Sequence, residues 1–150
     1  MARRKRPPPS AVAKAVDLLS RRDHSRAELR RKLRQREYPS DAIEQALDRL
    51  EELGLHDEQK SCRHMARSFA EFRGYGPIKI RGRLREKGFS SMDIDDAMDH
   101  LEVDWHELCR NVAEKRAHKG RAAVLRFLAS RGFPSSIARR AAEEVAEWDP

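Results

Sequence analysis

The stretch LRRKLRQREYPSDAIEQAL, residues 29–47, sets out a pattern of charge and apolar residues that the chain repeats twice. Related stretches occupy residues 80–98 (IRGRLREKGFSSMDIDDAM) and residues 124–142 (VLRFLASRGFPSSIARRAA), so the copies begin 51 and then 44 residues apart. One apolar position of the gapless alignment holds Leu33, Leu84 and Leu128. Apolar positions that return at such an interval are typical of helical repeat proteins.

Each copy is predicted to contribute three helices, because its apolar residues recur every three or four positions. The first helices are predicted at residues 11–22, 58–73 and 104–118, the second at 26–36, 77–87 and 121–131, and the third at 41–53, 91–103 and 135–148. Ser25 and Glu28 form a capping box, which marks a helix start. Gly88 and Gly132 follow second helices, where a left-handed residue commonly ends a helix. Glu37 holds the equivalent position in the first copy, so we expect a different turn there.

The predicted fold is all-α, with three tandem three-helix repeats stacked into an elongated, curved rod. A single unit of this size buries too little surface to be stable, whereas stacked units share their cores. We predict a disordered, basic, proline-rich tail at residues 1–10, followed by repeats at residues 11–55, 56–103 and 104–150. The alternative is one compact helical globule.

The composition indicates a soluble, helical, basic protein. The 150 residues include only seven Gly and seven Pro, and the net charge is +7. A basic surface suits nucleic acid or an acidic protein partner. Two cysteines make no disulfide framework and fit a reducing compartment. No apolar run approaches the ~18 residues of a membrane span. We therefore expect a cytoplasmic monomer with no membrane partner.

Charge alternates in step with the repeat. The net charge is +10 over residues 1–36, +7 over 59–90 and +8 over 108–140, but −7 over 37–58, −7 over 91–107 and −4 over 141–150. The first two helices of each unit are thus basic, and the third is largely acidic. Alternating charge can be only a solvated surface. Its threefold repetition instead favours a partner that is itself repetitive, such as a nucleic acid or a protein filament.

Several other kinds of site find little support. In a helix-turn-helix the helix after the turn enters the major groove, but here those helices carry acidic residues such as Asp95 and Asp96, which phosphates repel. The pairs Cys62-x-His64 and His106-x-x-Cys109 do not resemble a four-ligand zinc framework. The chain has no phosphate-binding glycine loop, nucleophile elbow or two-histidine zinc motif. We predict no enzyme activity, no metal and no cofactor.

Aromatic residues bear on nucleic-acid binding, because stacking on bases needs exposed rings. Most rings of this chain sit at positions predicted as core: Tyr38, Phe69, Phe72, Phe89, Phe127, Phe133 and Trp148. Partial exposure is compatible with the positions of Tyr75, Trp105 and Trp148. The sequence therefore gives little reason to expect base stacking.

Two segments resemble a known family. YGPIKIRGRLREKG (residues 75–88) resembles the most distinctive segment of the RecX family, bacterial regulators of the RecA recombinase. LEELGLHDEQ (residues 50–59) is similar to the family's junction between its first and second units. The resemblance covers residues 11–148. KSCRHM, at residues 60–65, departs from it, because the family often has an aromatic-Ala pair there.

The resemblance implies a non-enzymatic modulator that lies in the helical groove of RecA filaments on DNA and limits their recombinase, ATPase and co-protease activities. The implied partners are the RecA filament and single- and double-stranded DNA. A general nucleic-acid-binding helical module without a filament partner is the alternative, and a helical adaptor for unrelated proteins is a third class.

Basic residues of the second helices are the candidate contacts with DNA or filament. They are Arg30, Arg31, Arg34, Lys79, Arg81, Arg83, Arg85, Lys87, Arg121, Arg126 and Arg131. Among them we favour Arg81 and Arg85, which are four residues apart and share one helix face.

Overall fold

The structure, a computed structural model, describes Arg4 and residues 6–145. Within these residues the regular structure is entirely helical: α1 (Ala11–Arg21), α2 (Arg26–Gln35), α3 (Ser40–Glu52), α4 (Glu58–Glu71), α5 (Pro77–Glu86), α6 (Ser91–Asp99), α7 (Trp105–Glu114), α8 (Arg121–Ser130) and α9 (Ser135–Val145). A 3₁₀ turn at Ala117–Lys119 lies between α7 and α8. None of the helices described is both long and apolar enough to cross a membrane. The all-α prediction and the tandem three-helix order are confirmed.

Helices α6 and α7 each end four residues before the predicted end, whereas the ends of α1 to α5 and α8 agree with the prediction within two residues. Helix α6 stops at Asp99, because the N–H of Leu101 donates to Met98 O (3.2 Å), three residues back, instead of continuing the α-helical pattern of bonds four residues back. Helix α7 stops at Glu114, and the chain then forms the 3₁₀ turn that ends at Gly120, whose φ is 91°. Trp148, predicted on the third helix of the last repeat, lies outside the described residues.

Side chains cap the helices where the sequence indicates. The capping box of Ser25 and Glu28 is present at the start of α2, as predicted. Ser90 and Asp104 also accept hydrogen bonds from backbone N–H groups in the first turns of α6 and α7. Such caps satisfy donors that the helix leaves without partners, and each is worth about 1 kcal/mol.

The turn after the second helix is the same in all three repeats. Glu37, Gly88 and Gly132 have φ angles of 65°, 90° and 89°. The expectation of a different turn at Glu37 was wrong, because each following residue donates to the same carbonyl position. Tyr38 N–H bonds Leu33 O (3.3 Å), and Phe133 N–H bonds Leu128 O (3.2 Å). Glu37 therefore adopts a left-handed conformation that favours glycine.

The chain divides into two compact units, Met1–Ser61 and Cys62–Pro150. In the first unit, helices α1 to α3 enclose an apolar core of Ala15, Leu18, Leu29, Leu33, Ile43, Leu47 and Leu50. Leu53 is the last residue of the third helix predicted at residues 41–53, where the spacing of apolar residues would place it in the core, but it is about half exposed, at 48%. It follows the last residue of α3, where the helical periodicity ends.

The second unit contains two cores. One lies among α4, α5 and α6, around Ile80, Leu84 and Ile94. The other lies among α7, α8 and α9, around Val124, Leu128 and Ala141. Trp105 and Leu108 pack against both cores. Leu84 and Leu128 are fully buried, as is their equivalent Leu33 in the first unit, so the repeated apolar position is a core position in each repeat.

Candidate nucleic-acid interface

In the first repeat, the cations at the start of α2 are bound by carboxylates of α3. Arg26 forms ion pairs with Glu44, Asp48 and Glu51 at 3.2, 2.7 and 2.8 Å. Arg30 donates from Nε to Glu44 at 2.6 Å. The acidic third helix thus neutralises part of the basic second helix within the same repeat.

The same pairing recurs in the second repeat. Arg81 on α5 donates to Asp95 on α6 at 2.7 Å, and these residues lie 51 positions after Arg30 and Glu44. The third repeat has Leu125 and Arg139 at the equivalent positions, so this pair cannot form there. Part of the alternating charge pattern is therefore internal ion pairing.

These contacts hold the carboxylates in their charged form. Hydrogen bonds from Arg30 and Arg26 lower the pKa of Glu44 to about 2. A hydrogen bond from Arg63 likewise lowers the pKa of Asp96 below its ordinary value. Because both members of the Arg81–Asp95 pair are solvent exposed, such a pair stabilises the fold by only about 0.2–1 kcal/mol. A phosphate could therefore displace Asp95 from Arg81 at small cost.

Four candidate cations remain exposed, and none of them has a carboxylate partner among the described residues. They are Arg31 and Arg34 on α2, Arg85 on α5 and Arg126 on α8. Arg34 and Arg85 occupy equivalent positions 51 residues apart, and Arg31 and Arg126 share another position of the repeat. The second helices therefore present exposed guanidinium groups at recurring positions.

The remaining candidates are engaged elsewhere. Arg83 pairs with Glu86 one turn further along α5 (3.1 Å), and Arg121 lies 3.6 Å from Glu143. Lys87 is half-buried at the end of α5. None of these contacts involves a buried carboxylate, so they constrain the cations only weakly.

Lys79 and Arg131 belong to a joint between the second and third repeats. Both cations lie over the ring of Tyr75, at 4.5 and 5.5 Å from its centroid. Gly76 N–H donates to Arg131 O (2.7 Å), and Ile78 N–H donates to Gly132 O (3.1 Å). Tyr75 is buried at 9% exposure, rather than partly exposed as its position had suggested.

Glycine is needed at this joint because two backbones approach closely. A Cβ atom at Gly132 would lie 2.3 Å from Lys79 N, and one at Gly76 would lie 2.5 Å from Gly132 O. The segment that carries the family resemblance, residues 75–88, thus begins with residues that connect two repeats.

Phe72 does not occupy the core position predicted for it. The residue is 81% exposed and directly follows the last residue of α4. It lines a cavity of about 390 Å³ with apolar side chains that include Val112 and Phe127. Four cations line the same cavity: Arg73, Lys115, Arg116 and Arg131. An exposed aromatic ring therefore stands beside a cationic surface that the sequence did not reveal.

Cys62 and Cys109 form no disulfide with each other and pack in the two cores of the second unit. Burial raises the pKa of Cys109 to about 11, so its thiol is protonated and unreactive at neutral pH. Among the described residues, no three His, Cys, Asp or Glu side chains are arranged to hold a metal ion.

Comparison with known proteins identifies the family. The family models described as "RecX, first three-helix domain" and "RecX, second three-helix domain" match residues 11–50 and 57–98. The Regulatory protein RecX of Pseudomonas putida KT2440 is 43% identical over 136 residues, covering 84% of this chain and 85% of that protein. The Regulatory protein RecX of Pseudomonas fluorescens Pf-5 is 41% identical over 136 residues, covering 84% of this chain and 85% of that protein.

Solved structures agree in fold. A crystal structure of regulatory protein RecX aligns with a TM-score of 0.78 at 26% identity, covering 89% of this chain and 71% of that one. RecX from Lactobacillus salivarius aligns with a TM-score of 0.76 at 22% identity, covering 90% and 94%. This chain belongs to the RecX family.

Proposed function

We propose that this protein is a non-enzymatic regulator, mainly an inhibitor, of the RecA recombinase in DNA repair and recombination. It binds the RecA–DNA filament in the helical groove and limits filament growth, ATP hydrolysis and strand exchange. Membership of the RecX family, whose curated members are named regulatory proteins, is the observation that carries this proposal.

The repeated surface supports the proposal physically. Exposed guanidinium groups recur at equivalent positions of the second helices, as Arg34 and Arg85 and as Arg31 and Arg126. A filament on DNA repeats its own phosphates and subunits. Linked contacts made by one protein raise avidity, because each contact after the first is intramolecular. Four further candidate cations contribute where phosphate displaces their carboxylate partners: Arg30, Arg81, Arg83 and Arg121.

The direct test is RecA activity with this protein added. DNA-dependent ATP hydrolysis and strand exchange by RecA should fall in proportion to the amount of protein, without turnover by the protein itself. If RecA activity stays unchanged while the protein binds DNA tightly, the chain is a plain nucleic-acid-binding module. If the protein affects neither RecA nor DNA, it is an adaptor for other proteins.

The arginine surface can be tested with a matched pair of variants. Arg34→Gln with Arg85→Gln removes two exposed cations of second helices, and Arg49→Gln with Arg139→Gln removes two exposed cations of third helices. Both variants change the net charge equally. Each phosphate contact contributes about 1 to the slope of log affinity against log salt. The first variant should therefore reduce this slope by about 2 and weaken RecA inhibition, and the second should leave both unchanged.

Equal effects from the two variants would mean that net charge, and not the second-helix surface, governs binding. Fluorescence anisotropy with labelled DNA at several salt concentrations measures the slope. Circular dichroism confirms that both variants remain folded.

A further inference from the structure

We propose that Phe72 and the cations around it form a subsite for single-stranded DNA, in which a base stacks on the Phe72 ring. This inference rests on the DNA binding proposed above and assigns a strand preference to one part of the molecule. It concerns the surface at the end of α4, where it faces α7 and α8, and not the exposed arginines of the second helices.

The setting of Phe72 distinguishes it from an ordinary exposed apolar residue. Single exposed hydrophobic side chains are common on protein surfaces and need no explanation. Phe72 however borders a cavity of about 390 Å³ whose lining includes Arg73, Lys115, Arg116 and Arg131. Glu71 is the one carboxylate among the described residues of that lining. The cavity is therefore strongly cationic beside an exposed ring.

Two of these cations are held in place by a second ring. The guanidinium carbon of Arg116 lies 4.2 Å from the centroid of Phe127, and that of Arg131 lies 4.9 Å from it. Arg131 also donates from Nη1 to the carbonyl of Arg73 (3.3 Å). No carboxylate pairs with these arginines within the described residues. A stacked guanidinium keeps its N–H edge available for the two oxygens of a phosphate.

The combination matches the chemistry of single strands. Proteins that bind single-stranded nucleic acid without sequence preference combine a cationic groove for the backbone with aromatic rings that stack on bases. A base inside a duplex is already stacked and paired, so its face is not available to Phe72. The sequence analysis assigned Phe72 to the core, whereas the structure leaves it exposed.

An acidic peptide is the competing ligand, since carboxylates also pair with arginine. A peptide anchor is best served by a ring or pocket sunk into the surface. Phe72 instead lies on the surface, with the residue 81% exposed. A flat, accessible ring favours stacking on a base, because every base has a π-face.

The test compares Phe72→Ala with Phe72→Tyr and with Met92→Ala in the full chain. Met92 is an equally exposed apolar residue of the same unit, at 83%, but it does not line this cavity. Anisotropy of labelled oligothymidine and of a labelled duplex gives affinity for each strand form. Phe72→Ala should weaken oligothymidine binding by about 5- to 150-fold, the range for loss of one stacked base. It should change duplex binding less than about twofold, while Phe72→Tyr and Met92→Ala bind both like the parent chain.

Three outcomes overturn the inference. Oligothymidine affinity could be unchanged in Phe72→Ala. Affinity for oligothymidine and duplex could fall equally. A poly-glutamate peptide carrying leucine anchors could lose affinity in Phe72→Ala while oligothymidine does not, which would assign the cavity to an acidic protein segment. The RecA ATPase assay separates this inference from the proposed function. If the parent chain inhibits RecA but Phe72→Ala keeps the parent's relative affinity for oligothymidine and duplex, the proposed function stands and the subsite alone is wrong.

Discussion

The first and third repeats use their arginines in different ways. In the first, Arg26 and Arg30 on α2 are bound by three carboxylates of α3 at 2.6–3.2 Å. In the third, Arg121 occupies the position of Arg26 but, within the part of the chain that the structure describes, its one carboxylate partner is Glu143, at 3.6 Å. Two further cations there, Arg116 and Arg131, lie on the ring of Phe127. Similar basic composition thus produces internal pairing in one repeat and an open cationic surface in the other.

The turn after the second helix shows a second contrast between these repeats. Glu37 and Gly132 both have positive φ angles, 65° and 89°. Glu37 is exposed and carries its side chain into solvent. At Gly132 the backbone of Lys79 occupies the space that a Cβ atom would need. The same turn therefore tolerates a side chain in the first repeat and excludes one in the third.

The largest expected effect is that of Gly132→Ala. A methyl group there meets Lys79 N at 2.3 Å and its Cβ at 2.4 Å, so the joint between the second and third repeats must open. Overpacking and a strained φ angle together should cost more than about 2 kcal/mol of unfolding free energy. Urea unfolding followed by circular dichroism measures the loss.

Glu37→Ala is the matched control, because it places alanine at the equivalent turn without a facing backbone. It should change the unfolding free energy by less than about 0.5 kcal/mol. A comparable loss in both variants would attribute the effect to the turn conformation and not to the joint.

Repeat periodicity made the helices and the core predictable. Leu33, Leu84 and Leu128 align by sequence and are all fully buried. The periodic argument failed for Leu53 and Phe72, which follow the last residues of α3 and α4. Beyond a helix end, the spacing of three or four residues no longer fixes which side a residue faces.

The candidate site was predictable as a set of helices but not as individual residues. Arg30 and Arg34 look alike in sequence, yet only Arg30 has a carboxylate partner within the described residues. The recurrence of Arg30 with Glu44 and of Arg81 with Asp95, 51 residues on, was the available signal. The cluster at Phe72 unites residues of α4, α7 and α8, a tertiary association that no local pattern encodes. Stacking of the repeats into a rod stays a prediction.

The second expected effect is a loss of stability at acid pH, and it depends on His24, whose position in the repeat holds a different residue in the third repeat. His24 is buried in the first unit, and exposed Lys119 occupies its place in the third repeat. A neutral His24 ring can donate from Nδ1 to Arg22 O (2.9 Å) and accept at Nε2 from Lys32 Nζ (2.8 Å). Burial, aided by the charges of Arg22 and Lys32, lowers the pKa of His24 below 6.5.

The sign of the pH dependence follows from that pKa shift. The unfolded chain takes up a proton at His24 at a higher pH than the folded chain does. The stability contribution of neutral His24 is therefore complete above about pH 6.5 and is lost as the pH falls through the lower, folded pKa. His24→Asn should flatten the decline in melting temperature between about pH 7 and 5, since Asn does not titrate. A decline equal to that of the parent chain would show that another group is responsible.

The smallest expected effect is a gain in stability on replacing Gly82. Gly82 lies within α5 at the repeat position that Arg31 and Arg126 occupy in the other repeats. Apart from its chain neighbours and the backbone of α5 itself, a Cβ atom there would meet no atom within 4 Å. Gly82→Arg should raise the unfolding free energy by about 0.5–1 kcal/mol, because arginine is a better helix former than glycine. It should also increase the slope of log DNA affinity against log salt by about 1, through one added phosphate contact.

Gly82→Ala separates the two effects, since it should give a similar gain in stability with no change in the salt slope. Weaker DNA or filament binding by Gly82→Ala would instead show that a partner contacts the backbone at residue 82. Glycine in the second repeat would then serve that contact, and would not simply mark the lack of the arginine that the other repeats carry.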